Sequence, residues 1–313
     1  MLKIILGTLT FSNQADAATS LRMLELFQGK NGHELDTAHQ YNDGKTEALL
    51  GRLLTENPGL KFKMATKVNP WNDDGLKPEQ VATQLTESLE RLRAAAVDLL
   101  YLHSPDLDTP IADTLAKCWE FYQQGAFRRF GLSNFSAWQV AEVVETCRAR
   151  GWMTPTVYQG MYNALTRDVE RELLPCLRNY GIRFYAYNPL AGGLLTGKHT
   201  NFEQAPEYGR FLSNNQYTTR YWKADYFDVL ATLTAACAKH GVTPANAALR
   251  WLVHHSQLSA KDGDGIILGA SKLSQLQQNL AHVDGGKLAD DIVAILDRGW
   301  QRIKPDCAKY FRP

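Results

Sequence analysis

KFKMATKVNPWNDDGLKPEQVATQLTESLERLRAAAVDLLYLH, residues 61–103, is the stretch whose reading decides the fold. It opens on a short apolar run at 61–67, crosses a polar connection, and enters a longer segment at 78–96. There Val81, Leu85, Leu89 and Leu92 recur at helical intervals, behind a proline, Pro78, that suits the first turn of a helix. A second apolar run follows at 97–103. Strand, helix and strand in that order predict a βαβ unit with a parallel pair.

The same alternation continues in both directions. Further strand-like runs lie at 4–7, 33–36, 127–133, 156–159, 182–188 and 265–270, which makes eight in all. Eight repeats without an obvious linker predict an α/β fold of the (β/α)8 TIM barrel type, with residues 1–313 forming one domain. Two stretches depart from the repeat. Residues 190–225, rich in Gly, Asn, Tyr and Arg, are too long for a simple connection and read as a binding loop. Residues 287–313 read as one more helix and an irregular tail.

Composition excludes several classes of partner. Hydrophobic residues at 44% and charged residues at 21% are ordinary globular usage. Lys plus Arg number 34 against 33 for Asp plus Glu, so no whole-protein field draws nucleic acid or a membrane surface. Neither is expected as a partner, and any anion site must be local. Cys118, Cys147, Cys176, Cys237 and Cys307 are scattered without a C-x-x-C pair, which argues against a disulfide framework and a zinc cluster. Idle thiols suit a reducing compartment. No apolar run reaches the ~18 residues of a membrane span, and the first residues lack a signal-like apolar region. A cytoplasmic protein is expected.

In such a barrel the chemistry sits at the C-terminal strand ends. Here almost every run ends on a polar group or glycine: Gly7 and Thr8, Asp36, Lys67, His103, Ser133 and Asn134, Gln159, Tyr187 and Asn188, then Gly269 and Ser271. Taken singly, Asp36 reads as a cap, Tyr41 as a packing residue and His103 as a satisfied core histidine. Lys67 is harder to set aside, because lysine is seldom buried and this one ends an apolar strand. If the barrel forms, the four point into one pocket.

Their joint chemistry is specific. A phenol, with an ordinary pKa of about 10, becomes a better acid when a nearby ammonium stabilises its phenolate. Lys67 would do this for Tyr41. Asp36 would hold Lys67 charged and oriented, and His103 would donate to a substrate oxygen gaining negative charge. None of these side chains can deliver a hydride, so a nicotinamide cofactor is implied.

The residues DTAHQY (Asp36, Tyr41), ATK (Lys67) and LYLHSPD (His103) resemble, in order and spacing, the catalytic tetrad of the aldo-keto reductases. Nearly the whole chain is similar to the aflatoxin-aldehyde and succinic-semialdehyde reductase subgroup. The resemblance implies an NADPH-dependent reductase of aromatic aldehydes, dicarbonyls and succinic semialdehyde-like acids, serving detoxification, with a homodimer as the candidate assembly. It implies that Ser133, Asn134 and Gln159 hold the nicotinamide carboxamide and that Tyr187 stacks on the ring. In the matching stretch YAYNPLAGGLLTGK, residues Asn188, Pro189, Leu190, Ala191, Gly192, Gly193, Leu194, Leu195, Thr196, Gly197 and Lys198 would wrap the pyrophosphate. In GASKLSQLQQN, Gly269, Ser271, Gln275 and Asn279 take the positions around the adenosine and its 2′-phosphate, at a helix N-terminus. Arg210 and Arg220 match further subgroup positions, Arg220 as a cofactor-phosphate contact. Arg312, in KYFRP, matches the C-terminal arginine that grips acidic substrates.

The sequence departs from relatives at LGTLTF near the N-terminus and at His39 and Gln40, which puts the substrate in question and not the chemistry. Rival readings stay open at this level. A Schiff-base aldolase would use a strand-end lysine as nucleophile, but leaves 188–198 and 269–279 unexplained. A metal-dependent hydrolase would need clustered ligands, while His254 and His255 are adjacent and no H-x-H ends a strand. A nucleotide-sensing subunit would keep the cofactor motif and lack turnover.

Overall fold

The computed structural model describes residues 1–72, 74–204, 210–213 and 215–312. Eight parallel strands close a barrel in sequential order: β1 (Lys3–Gly7), β2 (Glu34–Asp36), β3 (Lys63–Val68), β4 (Val97–Leu102), β5 (Phe127–Ser133), β6 (Val157–Met161), β7 (Arg183–Tyr187) and β8 (Gly265–Gly269). The closure pairs β1 with β8, from Lys3 opposite Gly265 to Gly7 opposite Gly269. All eight strands read from the sequence are present, which makes the fold the expected (β/α)8 TIM barrel.

The helices are α1 (Ala17–Gly29), α2 (Lys45–Glu56), α3 (Pro78–Leu92), α4 (Ile111–Gln123), α5 (Ala137–Ala149), α6 (Leu173–Tyr180), α7 (Arg210–Ser213), α8 (Asn215–Tyr221), α9 (Ala224–Lys239), α10 (Pro244–His254), α11 (Leu273–Val283) and α12 (Asp290–Ile303). In α3 the side chains of Val81, Leu85 and Leu92 are buried, each such burial stabilising by about 1.5–3 kcal/mol. The helix was expected to run to Ala96 but stops at Leu92. Arg93 turns left-handed (φ 52°) and donates its N–H to Glu90 O, while Ala94 N–H reaches Leu89 O at 3.1 Å. This 6→1 closure satisfies the last carbonyls and frees the next residues to lead into β4.

Two apolar layers result. The larger lies between strands and helices. The smaller, formed by Ile5, Ala65, Leu99, Tyr101, Val157, Tyr185 and Ile267, fills the barrel. Gly131 makes room there, since a Cβ on it would stand 2.5 Å from the Tyr101 ring.

The stretch expected as a long loop carries a 3-10 segment (Ala191–Thr196) and then α7 and α8. An aromatic group ties it down: Trp222 packs at 4.9 Å from Phe227, 5.2 Å from Phe211 and 5.2 Å from His199, and its Nε1 donates to Phe202 O. Toward the C-terminus α12 packs on α9, with Arg302 reaching Asp225 and Asp228. The last residues then return across the C-terminal face of the barrel. Tyr310 Oη donates to Glu172 (2.6 Å), and Arg312 N–H donates to Asn134 O (2.9 Å). Among the described residues no helix is long and apolar enough to cross a membrane.

Candidate active site

Side chains alternate across a strand, so residues two apart share a face. Ala65, Tyr101, Val157, Tyr185 and Ile267 point into the barrel. Two residues further along lie Lys67, His103, Gln159, Tyr187 and Gly269. The register sets Asp36 opposite Gly7 and Ser133 opposite Gln159, which brings both to the same inner rim. The polar strand ends read from the sequence are therefore gathered at one mouth by the period of the strands.

Lys67 is fully buried, and its ammonium has three protons to place. They go to Asp36 Oδ2 (2.8 Å), Thr37 O (2.6 Å) and Tyr41 Oη (3.3 Å). Burial pulls the lysine below its ordinary value of 10.5, against the opposing charges of Asp36 and Glu47. The other oxygen of Asp36 accepts from Gln159 Nε2 at 2.7 Å. His103 stands edge-on to Tyr41, ring centroids 6.1 Å apart. Its ring is held well below the ordinary histidine range by burial first, then by Lys67 and Arg312, so it is neutral at physiological pH. Its Nδ1 is buried without a hydrogen-bond partner.

Around this group the structure places the remaining candidates. Asn134, left-handed at φ 63°, donates to His103 O (2.8 Å) and Ser133 Oγ (3.0 Å) and accepts from Tyr187 Oη (2.7 Å). Burial raises the Tyr187 phenol, and the charges of Arg220 and Arg312 oppose it. Both arginines thus stand near the ring. The Arg210 side chain lies outside the described residues.

The segment after β7 exposes backbone by conformation. Asn188 and Ala191 are left-handed, and Gly192 (φ 70°) and Gly193 (φ 112°) follow suit. A Cβ at Gly193 or Gly269 would meet nothing within 4 Å, so both backbones border open space. Pro189, Leu190 and Gly197 complete the turn, with Leu194 and Leu195 buried beneath it. After β8, Ser271 donates from both N and Oγ to Gln275 Oε1 at 3.0 Å, and Asn279 Nδ2 reaches Gly269 O at 3.5 Å. No side chain caps the N-terminus of α11, which leaves its first amides available to an anion. Bare glycine backbone, uncapped amides and an unpartnered His103 nitrogen at one barrel mouth suit an extended, anionic, ring-bearing cofactor.

One residue at this mouth was not anticipated from sequence. Trp71 lies 4.6 Å from the His103 ring, and the Arg312 guanidinium sits 4.7 Å from the Trp71 ring. Trp71 is 40% exposed, large for a tryptophan, and covers His103 from the solvent side. A tryptophan just past the end of β3 was the available signal. Glu47, buried behind β3, was also missed, because a glutamate in the first turn of a helix ordinarily reads as a dipole-complementing surface acid.

The model of the Aldo/keto reductase family matches residues 3–301. Aflatoxin B1 aldehyde reductase member 2 of Mus musculus is 46% identical over 98% of this chain and 87% of its own length. Aflatoxin B1 aldehyde reductase member 4 of Homo sapiens is 44% identical over 98% of this chain and 96% of its own. Aldo-keto reductase family 7 member A3 of Homo sapiens is likewise 44% identical, over 98% and 96%. A family match across almost the whole barrel, joined to a buried lysine–carboxylate pair at the strand ends, makes this chain a member of the aldo/keto reductase family and an oxidoreductase.

Proposed function

We propose that the protein reduces aldehydes to alcohols with NADPH, Tyr41 giving its proton to the carbonyl oxygen. The observation that carries this reading is the ammonium of Lys67, which donates to the phenol oxygen while Asp36 and Thr37 O take its other two protons. Positive charge aimed at that oxygen stabilises the phenolate left after proton transfer. Neutral His103, in the tautomer that carries a proton on the pocket side, donates to the same carbonyl oxygen. When bound, NADPH supplies the hydride to the carbonyl carbon.

Ser133, Asn134 and Gln159 are proposed to hold the carboxamide, with Gln159 exchanging its bond to Asp36 for the ligand. Tyr187 is proposed to stack on the ring, the segment from Asn188 to Lys198 to follow the pyrophosphate, and Ser271, Gln275, Asn279 and Arg220 to meet the adenosine end. The choice of aldehydes is supported by the names of the relatives, and that of acidic aldehydes by Arg312 over the mouth. We extend the proposal to a cytoplasmic homodimer, for which light scattering should return twice the 35.1 kDa of one chain.

The test is NADPH consumption with nitrobenzaldehyde, methylglyoxal and succinic semialdehyde, repeated with NADH. Turnover with at least tenfold higher kcat/KM for NADPH is expected, because a 2′-phosphate gains charge-assisted bonds worth about 1.5–3 kcal/mol. Equal values for the two cofactors would refute the phosphate reading. Absence of turnover would point to a nucleotide-sensing role.

A further inference from the structure

Glu47 is a buried carboxylate that the proposed mechanism does not use. It occupies the first turn of α2, and its side chain is fully buried. One oxygen accepts from Thr66 Oγ1 at 2.6 Å. The other has no hydrogen bond and stands 3.6 Å from the Arg91 guanidinium of α3. A tie between α2 and β3 needs only a neutral acceptor, whereas an ion in this layer carries a desolvation cost. The charge itself therefore calls for a role.

Thr66 and Lys67 are neighbours on β3 and face opposite sides of it, so Glu47 sits just across the strand from Lys67. Charges on either side of a buried strand act through a dry layer with little screening. We propose that Glu47 is a positioning residue: held by Thr66, it keeps the Lys67 ammonium charged and Tyr41 supplied with its proton on the alkaline side. This rests on Tyr41 and Lys67 forming the proton-donating pair. Lys67 is faced by Asp36 from β2, Tyr41 from the loop before α2, Tyr101 from β4 (5.8 Å to the ring) and His103 from the end of β4. Among the described residues, Asp36 and Glu47 are the negative charges that act on it. Removing either makes both Lys67 and Tyr41 release protons at lower pH.

The experiment records kcat/KM against pH with NADPH and uncharged nitrobenzaldehyde. Wild type, Tyr41→Phe, Glu47→Gln and Arg91→Met are compared. Glu47→Gln should move the alkaline fall of activity to lower pH by about half a unit or more, a loss that grows by about threefold from pH ~6.5 to ~9.5. Arg91→Met removes a cation that stands 3.6 Å from Glu47 and 2.7 Å from Glu87 on its other side, so it should move the same limb upward, by less because Arg91 is partly exposed and shared. Opposite shifts from opposite charge changes cannot come from loosened packing. A Glu47→Gln limb that overlays wild type, or a loss equal at every pH, overturns the proposal. If Glu47→Gln does not fold, an unmoved limb in Arg91→Met overturns it alone. Retained activity in Tyr41→Phe would instead sink the acid assignment on which it rests.

Discussion

The two ends of the barrel interior hold the same three chemical groups, a carboxylate, a cation and a tyrosine, connected differently. Glu34 and Asp36 lie two residues apart on β2 and share its inner face. At the closed end, Glu34 accepts from Lys3 (3.1 Å), Arg129 (3.1 Å) and the hydroxyl of Tyr185 (3.1 Å). Arg129 also reaches Asp98 through Nε at 2.9 Å. At the open end, the Lys67 ammonium donates to the hydroxyl of Tyr41. The Tyr185 phenol gives a short hydrogen bond to a carboxylate and takes a long one from a cation, Lys3 Nζ at 3.5 Å, whereas the Tyr41 oxygen accepts from a fully buried ammonium at 3.3 Å. Burial, followed by the Glu34 charge, pushes the Tyr185 phenol up to about 12. A phenol whose proton is held by a carboxylate is kept from giving it up, which separates the structural Tyr185 from Tyr41, the proposed proton donor.

That contrast breaks most sharply at Tyr41. Tyr41→Phe should keep the fold, with Tm within about 2 °C of wild type, keep NADPH binding, and lower kcat by ~10²-fold or more. A variant near wild-type kcat would remove Tyr41 from the mechanism. Lys67→Met should lose nearly as much rate, and it should also lose stability, because the buried Asp36 carboxylate loses its ammonium and keeps the neutral bond from Gln159. Thermal melts separate the two variants. A Lys67→Met protein as stable as Tyr41→Phe would show that Asp36 does not depend on the lysine.

The strand ends were legible because period two is a property of the sequence: once eight apolar runs are counted, the last inward residue of each is fixed. What sequence left unread depends on contacts across the fold. Lys3 lies just before the run at 4–7 and Glu34 inside the one at 33–36, and only the pairing of β1 with β2 and the approach of Arg129 and Tyr185 make them an internal network. Trp71 sits in a connection whose path no periodicity describes, and its tilted contact with the His103 ring needs the third dimension. The end of α3 was misread because Arg93, with a Cβ, adopts a left-handed turn that glycine usually signals. Gln159 was expected to face only a ligand, yet it braces Asp36 as well.

Arg312 sharpens the comparison at the rim. Its guanidinium lies over Trp71 and is 3.4 Å from Gln216 Oε1, with no carboxylate in those contacts. An acidic aldehyde would supply one, and a charge-assisted fork contributes about 1.5–3 kcal/mol. Arg312→Ala should raise KM for succinic semialdehyde by about tenfold to a hundredfold. For nitrobenzaldehyde the change should stay within about threefold, from the lost support of Trp71 alone. Equal weakening of both substrates would make the tail a packing lid and not a carboxylate clamp.

The smallest expected effect is the same chemical change made at the other end. Tyr185→Phe deletes a hydroxyl that donates to Glu34 and accepts a long bond from Lys3 Nζ (3.5 Å), while Glu34 still accepts from Lys3 and Arg129. One short bond and one long one are lost while Glu34 and Lys3 stay paired with each other, so the cost should be about 0.5–1.5 kcal/mol of stability. Burial pushes the Glu34 carboxyl up, but Arg129 and Lys3 together hold it below its ordinary value of 4.5. Its folded value is the lower one, so Glu34 contributes stability above the unfolded value and loses it as pH falls through the folded one. The Tyr185→Phe deficit should therefore persist at neutral pH and narrow in acid, where Glu34 is protonated in both proteins. Denaturant melts at neutral and acidic pH measure this, and kcat should match wild type, because the hydroxyl removed meets Glu34 and Lys3 and not the groups at the mouth. A Tyr185→Phe enzyme that is slow but fully stable would mean that the two ends are coupled through the barrel, and the wiring contrast between the tyrosines would fail.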